Sequence, residues 1–327
     1  MDKPITVIMP FLNEGNEPIE TLRSLFNTAP ESLFSVIAID DCSEQEPGDE
    51  WREFIGKDLK LLRNEQRIGV DASRHTGMME CTTPFALIID AHMRFTDDDW
   101  MERYLLHLER NPQTVFCTTS IGLGYGVTRM EDSTVRYQGA TFHLVSPEPV
   151  CAKGTGELKV CREIIEGKWL DREVWPDVPC YDVACVMGAN YGMSKEWYDH
   201  LHGLVGLQAW GTSEPLLSIK SYLAGGDCKC IADIEIGHVY RDNSPFGVHV
   251  FCLMFNKLFL MRVLLPESSW QPLESFMSQD GNLMYARNLI EQMSGIWKAE
   301  RAHAESIRKV SIEDYFARFA VPTEGIL

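Results

Sequence analysis

The chain has 327 residues, 45% apolar and 24% charged, enough to bury a substantial core as one large domain or one domain with an appendage. Its 48 acidic against 30 basic residues give a formal net charge of -18, a field that disfavours nucleic acid and anionic membranes as partners. The same field repels a nucleotide diphosphate, so a site for one calls for a divalent cation bridging protein carboxylates and phosphate oxygens.

Met1 to Pro4 leads straight into strand-like residues, with neither a basic nor a long apolar leader, which predicts a cytoplasmic protein. Ten irregularly spaced cysteines, including Cys228 and Cys230 on one predicted strand, fit reduced core thiols. Ile5 to Met9 is a short apolar β-rich run ended by Pro10 and followed by Asn13-Glu14-Gly15-Asn16, a buried strand entering a loop. Pro18, Ile19, Leu22, Leu25 and Phe26 then recur at helical spacing until Pro30. A second strand, Phe34 to Ile39, closes on Asp40-Asp41-Cys42-Ser43. The pattern continues with a helix around Glu50 to Ile55, a strand at Leu59 to Leu62, a helix from about Val70 to Glu80 and a strand at Phe85 to Ile89. Asp97-Asp98-Asp99 reads as an N-terminal cap cluster for a helix from Trp100 to Leu108, and Val115 to Ile121 as a strand. Alternation of this kind predicts an α/β fold with a mostly parallel, doubly wound sheet and ligands beyond the carboxyl ends of its strands.

Gly122 to Pro179 is less periodic and rich in Gly, Pro and Trp, which predicts hairpins and loops shaping a substrate cleft. Trp169, Trp175 and Tyr181 are candidates for stacking on a sugar, although aromatic residues serve cores more often. Val248 to Leu265 is interrupted by His249, Asn256, Lys257 and Arg262, a buried or amphipathic helix rather than a membrane span. Within it Leu258 to Leu265 is helical, followed by Tyr285 to Trp297, with Ile296 to Ile307 a charged, solvated continuation. Met254, Met261, Met277, Met284 and Met293 read as core and helix-face fillers.

Three features carry chemistry. Asp90-Ala91-His92 directly follows the strand at Phe85 to Ile89, so a carboxylate and an imidazole two residues apart face one side and can share an ion. Trp210-Gly211-Thr212-Ser213-Glu214 puts a carboxylate at the entrance of a helix, in the positive field of its terminus. Gly237-His238-Val239-Tyr240-Arg241 ends an apolar strand with a third metal ligand and a phosphate clamp. Each has an ordinary structural explanation by itself: a strand-end cap, a helix cap, a core histidine. Their combination in this order is far harder to explain that way.

The sequence resembles a known family. Val7 to Glu14 and Ile39 to Ser43 look like the nucleotide-binding segments of GT-A glycosyltransferases of the family 2 type, and the three features above resemble motifs of polypeptide N-acetylgalactosaminyltransferases. The resemblance spans roughly Ile5 to Arg241. It implies a GT-A catalytic domain over 1–241, with a nucleotide-binding half to about 121 and an acceptor and metal half from about 122. Residues 242–327 would form a flexible loop over the donor and helices packed on that domain. Asp90, His92 and His238 would hold Mn2+ or Mg2+. Asp41 would bind uracil, Arg74 would help hold the nucleotide and Arg241 would contact the diphosphate. Pro10, Glu14 and Trp210 fall within the donor-binding blocks, Gly188-Ala189-Asn190 would lie near the donor sugar, and Glu214 would be an active-site carboxylate. Ala189 and Thr212 replace family glycines and one residue is inserted before Glu214, so N-acetylgalactosamine specificity is not implied; the family's membrane anchor and lectin domain find no match in the sequence, so peptide glycosylation in a secretory compartment is not expected.

The expected activity is metal-dependent transfer from a UDP-sugar to an acceptor hydroxyl, a glycan, peptide or small molecule, with retention of configuration. An inverting reaction with Glu214 as general base is the alternative. Other readings are a nucleotide-sugar-binding protein without transfer, a nucleotidyltransferase, for which the loop from Pro10 to Asn16 lacks a basic phosphate cradle, and glycosylation of hydroxymethylated DNA, which the acidity opposes.

Overall fold

The computed structural model describes residues 2–124, 126–143, 150–151, 158–159, 166–171, 178–241, 245–247, 250–277 and 281–320. Trp175 and half of the segment expected over the donor, residues 242–244 of 242–247, lie outside them.

The chain begins with β1 (Ile5–Phe11), α1 (Glu17–Thr28), β2 (Phe34–Asp40), β3 (Leu59–Arg63), α2 (Val70–Glu80), β4 (Phe85–Ile89) and β5 (Met93–Arg94). It continues through α3 (Trp100–Arg110), β6 (Thr114–Leu123), β7 (Arg136–His143), β8 (Val150–Cys151), β9 (Leu158–Lys159), β10 (Glu166–Asp171), β11 (Cys180–Asp182), β12 (Asn190–Ser194), α4 (Lys195–His200), α5 (Ser213–Leu223) and β13 (Asp227–Val239). Five helices follow: α6 (Val250–Leu264), α7 (Glu267–Met277), α8 (Gly281–Gln292), α9 (Ser294–Ile307) and α10 (Ile312–Arg318).

β3, β2, β1 and β4 run parallel, with β1 at the centre of that half and wholly buried, as expected for strands covered on both faces. Beyond β4 the sheet becomes mixed, because β12 enters antiparallel between β4 and β6. β13 runs parallel to β6 and turns its far end against the short β5, pairing His238 with Met93. The carboxyl ends of β1, β2 and β4 and the end of β13 thus open on one crevice, the place where ligands bind in open α/β sheets.

Several elements differ from expectation. The helix anticipated around Glu50 is a 3-10 turn, Asp49–Phe54. Asp99 occupies the N-cap position of α3 without a side-chain capping bond; its carboxylate instead accepts from Arg103 at 2.8 Å, one turn ahead. The single helix expected over Tyr285 to Trp297 is divided at Met293 into α8 and α9. α9 is solvated along one side as expected but anchored along the other, where Glu300 and Ala304 are buried and Glu300 reaches Lys220 of α5 at 3.0 Å. α6 fills the helix expected over Val248 to Leu265, beyond the shorter one at Leu258 to Leu265, whereas α7 and α10 were not anticipated.

α6 is apolar nearly all round, as a buried helix is, and packs with α8 and α9. Its Arg262 forms ion pairs with Glu274 and Glu291 and lies against the rings of Trp270 and Trp297, 5.0 and 4.8 Å from their centroids, a guanidinium stacked as well as paired. Met254 and Met261 are buried fillers, whereas Met284 is exposed. One hydrophobic cluster runs from Ile8, Ile37 and Val115 through Leu216 and Tyr222 to Met254, Phe255, Tyr315 and Phe316, so the C-terminal helices share a core with the sheet. Among the described residues no helix is long and apolar enough to cross a membrane, and the cysteines, Cys228 and Cys230 included, are free thiols.

Candidate functional site

A cavity of about 520 Å³ lies over the crevice. Pro10, Glu14, Asp41, Arg74, Asp90, His92, Gly188, Trp210, Glu214, His238 and Arg241 all line it. Ala189 and Asn190 do not. The Ala189 carbonyl instead accepts from the Asp90 N–H at 2.9 Å. The Asn190 carboxamide is buried against β6, with Oδ1 accepting from Thr118 N and Oγ1 at 3.1 and 2.9 Å.

At the crevice floor Asp90, His92 and His238 form a group of three whose ligand atoms lie within 4.8 Å of one another. The register of β5 and β13 brings this about: Val239 N–H donates to His92 O at 3.0 Å, setting the two imidazoles side by side although 146 residues separate them. Their Nε2 atoms are 3.2 Å apart, with Asp90 Oδ2 3.5 Å from His238 and 4.0 Å from His92. Two imidazole nitrogens and one carboxylate oxygen converging on one point suit a divalent first-row cation. Burial pushes the His238 imidazole below its ordinary value despite the Asp90 hydrogen bond, so at neutral pH it is uncharged, the form that ligates. Burial alone would raise the Asp90 carboxyl, but the His238 bond and Arg74 together hold it down at about 2, keeping it anionic. The residues present therefore fit a metal.

Glu14, from the loop after β1, connects this group to Arg241. Its buried carboxylate pairs with Arg241 and stands 3.6 Å from His92 Nδ1. At that separation the carboxylate faces the back of the ring without a hydrogen bond to Nδ1, close enough to become its partner by a small movement.

Arg74, on α2, is the second hub. Its side chain is only 6% exposed, and Nη1 donates to Ser213 Oγ at 2.9 Å and Glu214 Oε1 at 2.8 Å while Nη2 donates to Asp90 Oδ1 at 2.9 Å and Gly188 O at 3.3 Å. Burial opposes its charge, but the Glu214 and Asp90 carboxylates outweigh that and hold the guanidinium charged. Gly188 makes the close approach of Glu214 possible: a Cβ there would sit 2.8 Å from Glu214 Oε1.

Asp41 lines the cavity with both oxygens engaged. Ile68 N and Gly69 N donate to them at 2.9 and 2.8 Å, and Asn64 Nδ2 at 2.9 Å, so the carboxylate shapes the 64–69 turn. Trp210 is 45% exposed at the cavity edge. Trp169 lines the wall and packs edge-on against His238 and Tyr240, while Tyr181 donates to Gln138 Oε1.

Sequence reasoning missed Asp71 and Ser213. Asp71 is fully buried, with Arg74 Nη1 3.6 Å away and Ser213 and the Gly211 backbone as loose polar neighbours that favour its anion; neither oxygen makes a close hydrogen bond among the described residues. Burial pushes its carboxyl up to about 8, against the pull of Arg74 and with the push of Glu214. In sequence it looks like an ordinary acid in a helix's first turn.

Residues 6–152 match the family model described as Glycosyl transferase family 2. Polypeptide N-acetylgalactosaminyltransferase 4 of Caenorhabditis elegans is 26% identical over 250 residues, covering 75% of this chain and 39% of that protein. The chain thus spans well under half the length of this curated relative. Among solved structures, GalNAc-T7 with UDP, GalNAc and Mn2+ superposes with a TM-score of 0.69 at 18% identity, over 97% of this chain and 56% of that one. S. aureus TarS 1-349 in complex with UDP-GlcNAc superposes with a TM-score of 0.55 at 13% identity, over 93% of this chain and 91% of that one. Over residues 6–152, just under half of the chain, the sequence is therefore similar to glycosyl transferase family 2, and its fold is the GT-A fold of the superposed structures.

Proposed function

We propose that this chain is a metal-dependent glycosyltransferase that moves a sugar from a UDP-sugar to an acceptor hydroxyl with retention of configuration. The observation that carries the reading is the convergence of Asp90, His92 and His238 in the same cavity as Arg241, Arg74 and Glu214. A solved structure of the same fold contains UDP and Mn2+, which supports a UDP donor and manganese here.

Asp90, His92 and His238 would hold the ion, which when bound supplies Lewis-acid stabilisation of the diphosphate leaving group. Arg241, oriented by Glu14, adds a guanidinium to that charge, and such preorganised charge is commonly the largest contribution to catalysis. Arg74 ties Asp90 to Glu214, so the metal side and the sugar side of the pocket keep one geometry. The engagement of Glu214 by Arg74 at 2.8 Å is the arrangement of a group that positions sugar, which favours retention over an inverting route needing Glu214 as base.

The test is hydrolysis of a panel of UDP-sugars, separated chromatographically, with Mn2+ and with chelator. Slow cleavage of one donor only with metal is expected, its sugar released initially with the donor's anomeric configuration. Cleavage of none retires the transferase reading, and initial release of the opposite anomer retires retention.

A further inference from the structure

One wall of the cavity is the loop 208–212, whose backbone is strained. Ala209 (φ +52°) and Thr212 (φ +78°) lie in the left-handed region along with Gly211 (φ +99°). For a residue with a Cβ, above all a β-branched one, that conformation persists only where surrounding structure over-determines it.

The surrounding structure is α6. Asn256 is wholly buried, and its carboxamide is spent on this loop. Oδ1 accepts from Gln208 N at 2.8 Å, and Nδ2 shares its two hydrogens among the carbonyls of Gln208 at 2.7 Å, Gly211 at 2.8 Å and Trp210 at 3.3 Å. One turn earlier Leu253 packs on Gly211, where a Cβ would stand 2.9 Å from Leu253 Cδ2. From the other side α2 grips the same loop, with Asp71 N–H donating to Ala209 O at 3.3 Å. Directly after the loop come Ser213 and Glu214, both held by Arg74.

We infer that Asn256 is a positioning residue for the site: through it the C-terminal helices hold the 208–212 loop in its strained form and so fix where Trp210 and Glu214 stand. The consequence for chemistry rests on the donor-site reading above; the mechanical role does not. Asn256 touches no reacting atom. The C-terminal helices are on this account part of the site, because a loop with two non-glycine left-handed residues would relax once four hydrogen bonds are withdrawn.

Three full-length variants test this: Asn256→Ala, Asn256→Asp and Asn256→Ala with Thr212→Gly. Aspartate keeps the shape but turns an oxygen toward three carbonyls, and glycine at 212 removes strain that Asn256 would otherwise hold, so the double variant remains informative if a single one fails to fold. Hydrogen exchange is followed by mass spectrometry on peptides covering 208–214, without ligand. The expected result is at least about tenfold faster exchange at Gln208 in both single variants, with β4 and β13 unchanged. With the UDP-sugar that the parent cleaves, kcat should fall by about tenfold or more while the Kd for UDP stays within about twofold, and Thr212→Gly should recover part of kcat. Parental exchange over 208–214 in a folded single variant overturns the inference. Faster exchange beside a parent that cleaves no donor leaves the positioning role standing and removes the donor reading.

Discussion

Replacing Asp71 by asparagine should flatten the pH dependence of stability. Burial pushes this carboxyl from an ordinary 3.8 up to about 8. Below pH 3.8 the folded and unfolded chains both carry the proton. Between 3.8 and about 8 the unfolded chain has lost it and the fold retains it, so stability contributed at low pH drains away as pH rises, by about 1.4 kcal/mol per pH unit. Above about 8 the loss is complete. The asparagine side chain would mimic the protonated acid in shape and cannot ionise, so every other titrating group cancels between the two proteins. From pH 5 to pH 8 the parent should lose about 4 kcal/mol more than the Asp71→Asn variant. Urea unfolding of both proteins at pH 5, 6.5 and 8 measures this difference directly. Parallel stability profiles, or a variant that loses more than the parent on going to pH 8, would refute the assignment of Asp71 as a neutral buried acid beneath Arg74.

Breaking the Lys220–Glu300 pair should be costly, because the side chains are 1% and 6% exposed and the Glu300 carboxylate is left, among the described residues, with only the His202 imidazole, 3.0 Å away: Lys220→Met should lower stability by about 3 kcal/mol in urea unfolding, with Lys220→Met, Glu300→Leu together costing less than Lys220→Met by itself. Gly188→Ala should move Glu214 off Arg74, since the new Cβ would lie 2.8 Å from Oε1; a displacement near 1 Å should cost about a hundredfold in donor cleavage, read from initial rates. Glu14→Gln removes the carboxylate behind His92 and beside Arg241, and Mn2+ affinity, followed by electron paramagnetic resonance, should fall by about 10 to 100-fold.

Much of this architecture could be read from the chain, for physical reasons that particular residues make plain. β1, β2 and β4 are short apolar runs because both faces are covered, and each gives way to polar residues at the crevice. Asp90 and His92 were legible because two residues of extended chain put them on one side. Their meeting with His238 was suggested by motif order, but is made by a strand register between β5 and β13 that no local pattern encodes. Residues that work by burial were not legible. Lys220 and Glu300 look like solvent-facing helix charges, and they meet across 80 residues. Asn256 looked like an interruption in an apolar helix; its hydrogen bonds all go to a loop more than 40 residues away. Asp71 resembles any first-turn acid, and only the fold over it shows that it has no access to water. Asn190 and Ala189 lie beside the right glycine, but Asn190 spends its carboxamide oxygen on Thr118 of β6 and Ala189 is buried in the core.

The central claim is that Asp90, His92 and His238 form one metal site serving a nucleotide donor. Its most direct test is calorimetric titration of UDP into the parent with Mn2+, the parent with chelator, and His238→Ala with Mn2+. Tight binding is expected in the first case and affinity lower by at least about tenfold in the other two. UDP binding of equal strength with chelator, or in the His238→Ala protein, would contradict it.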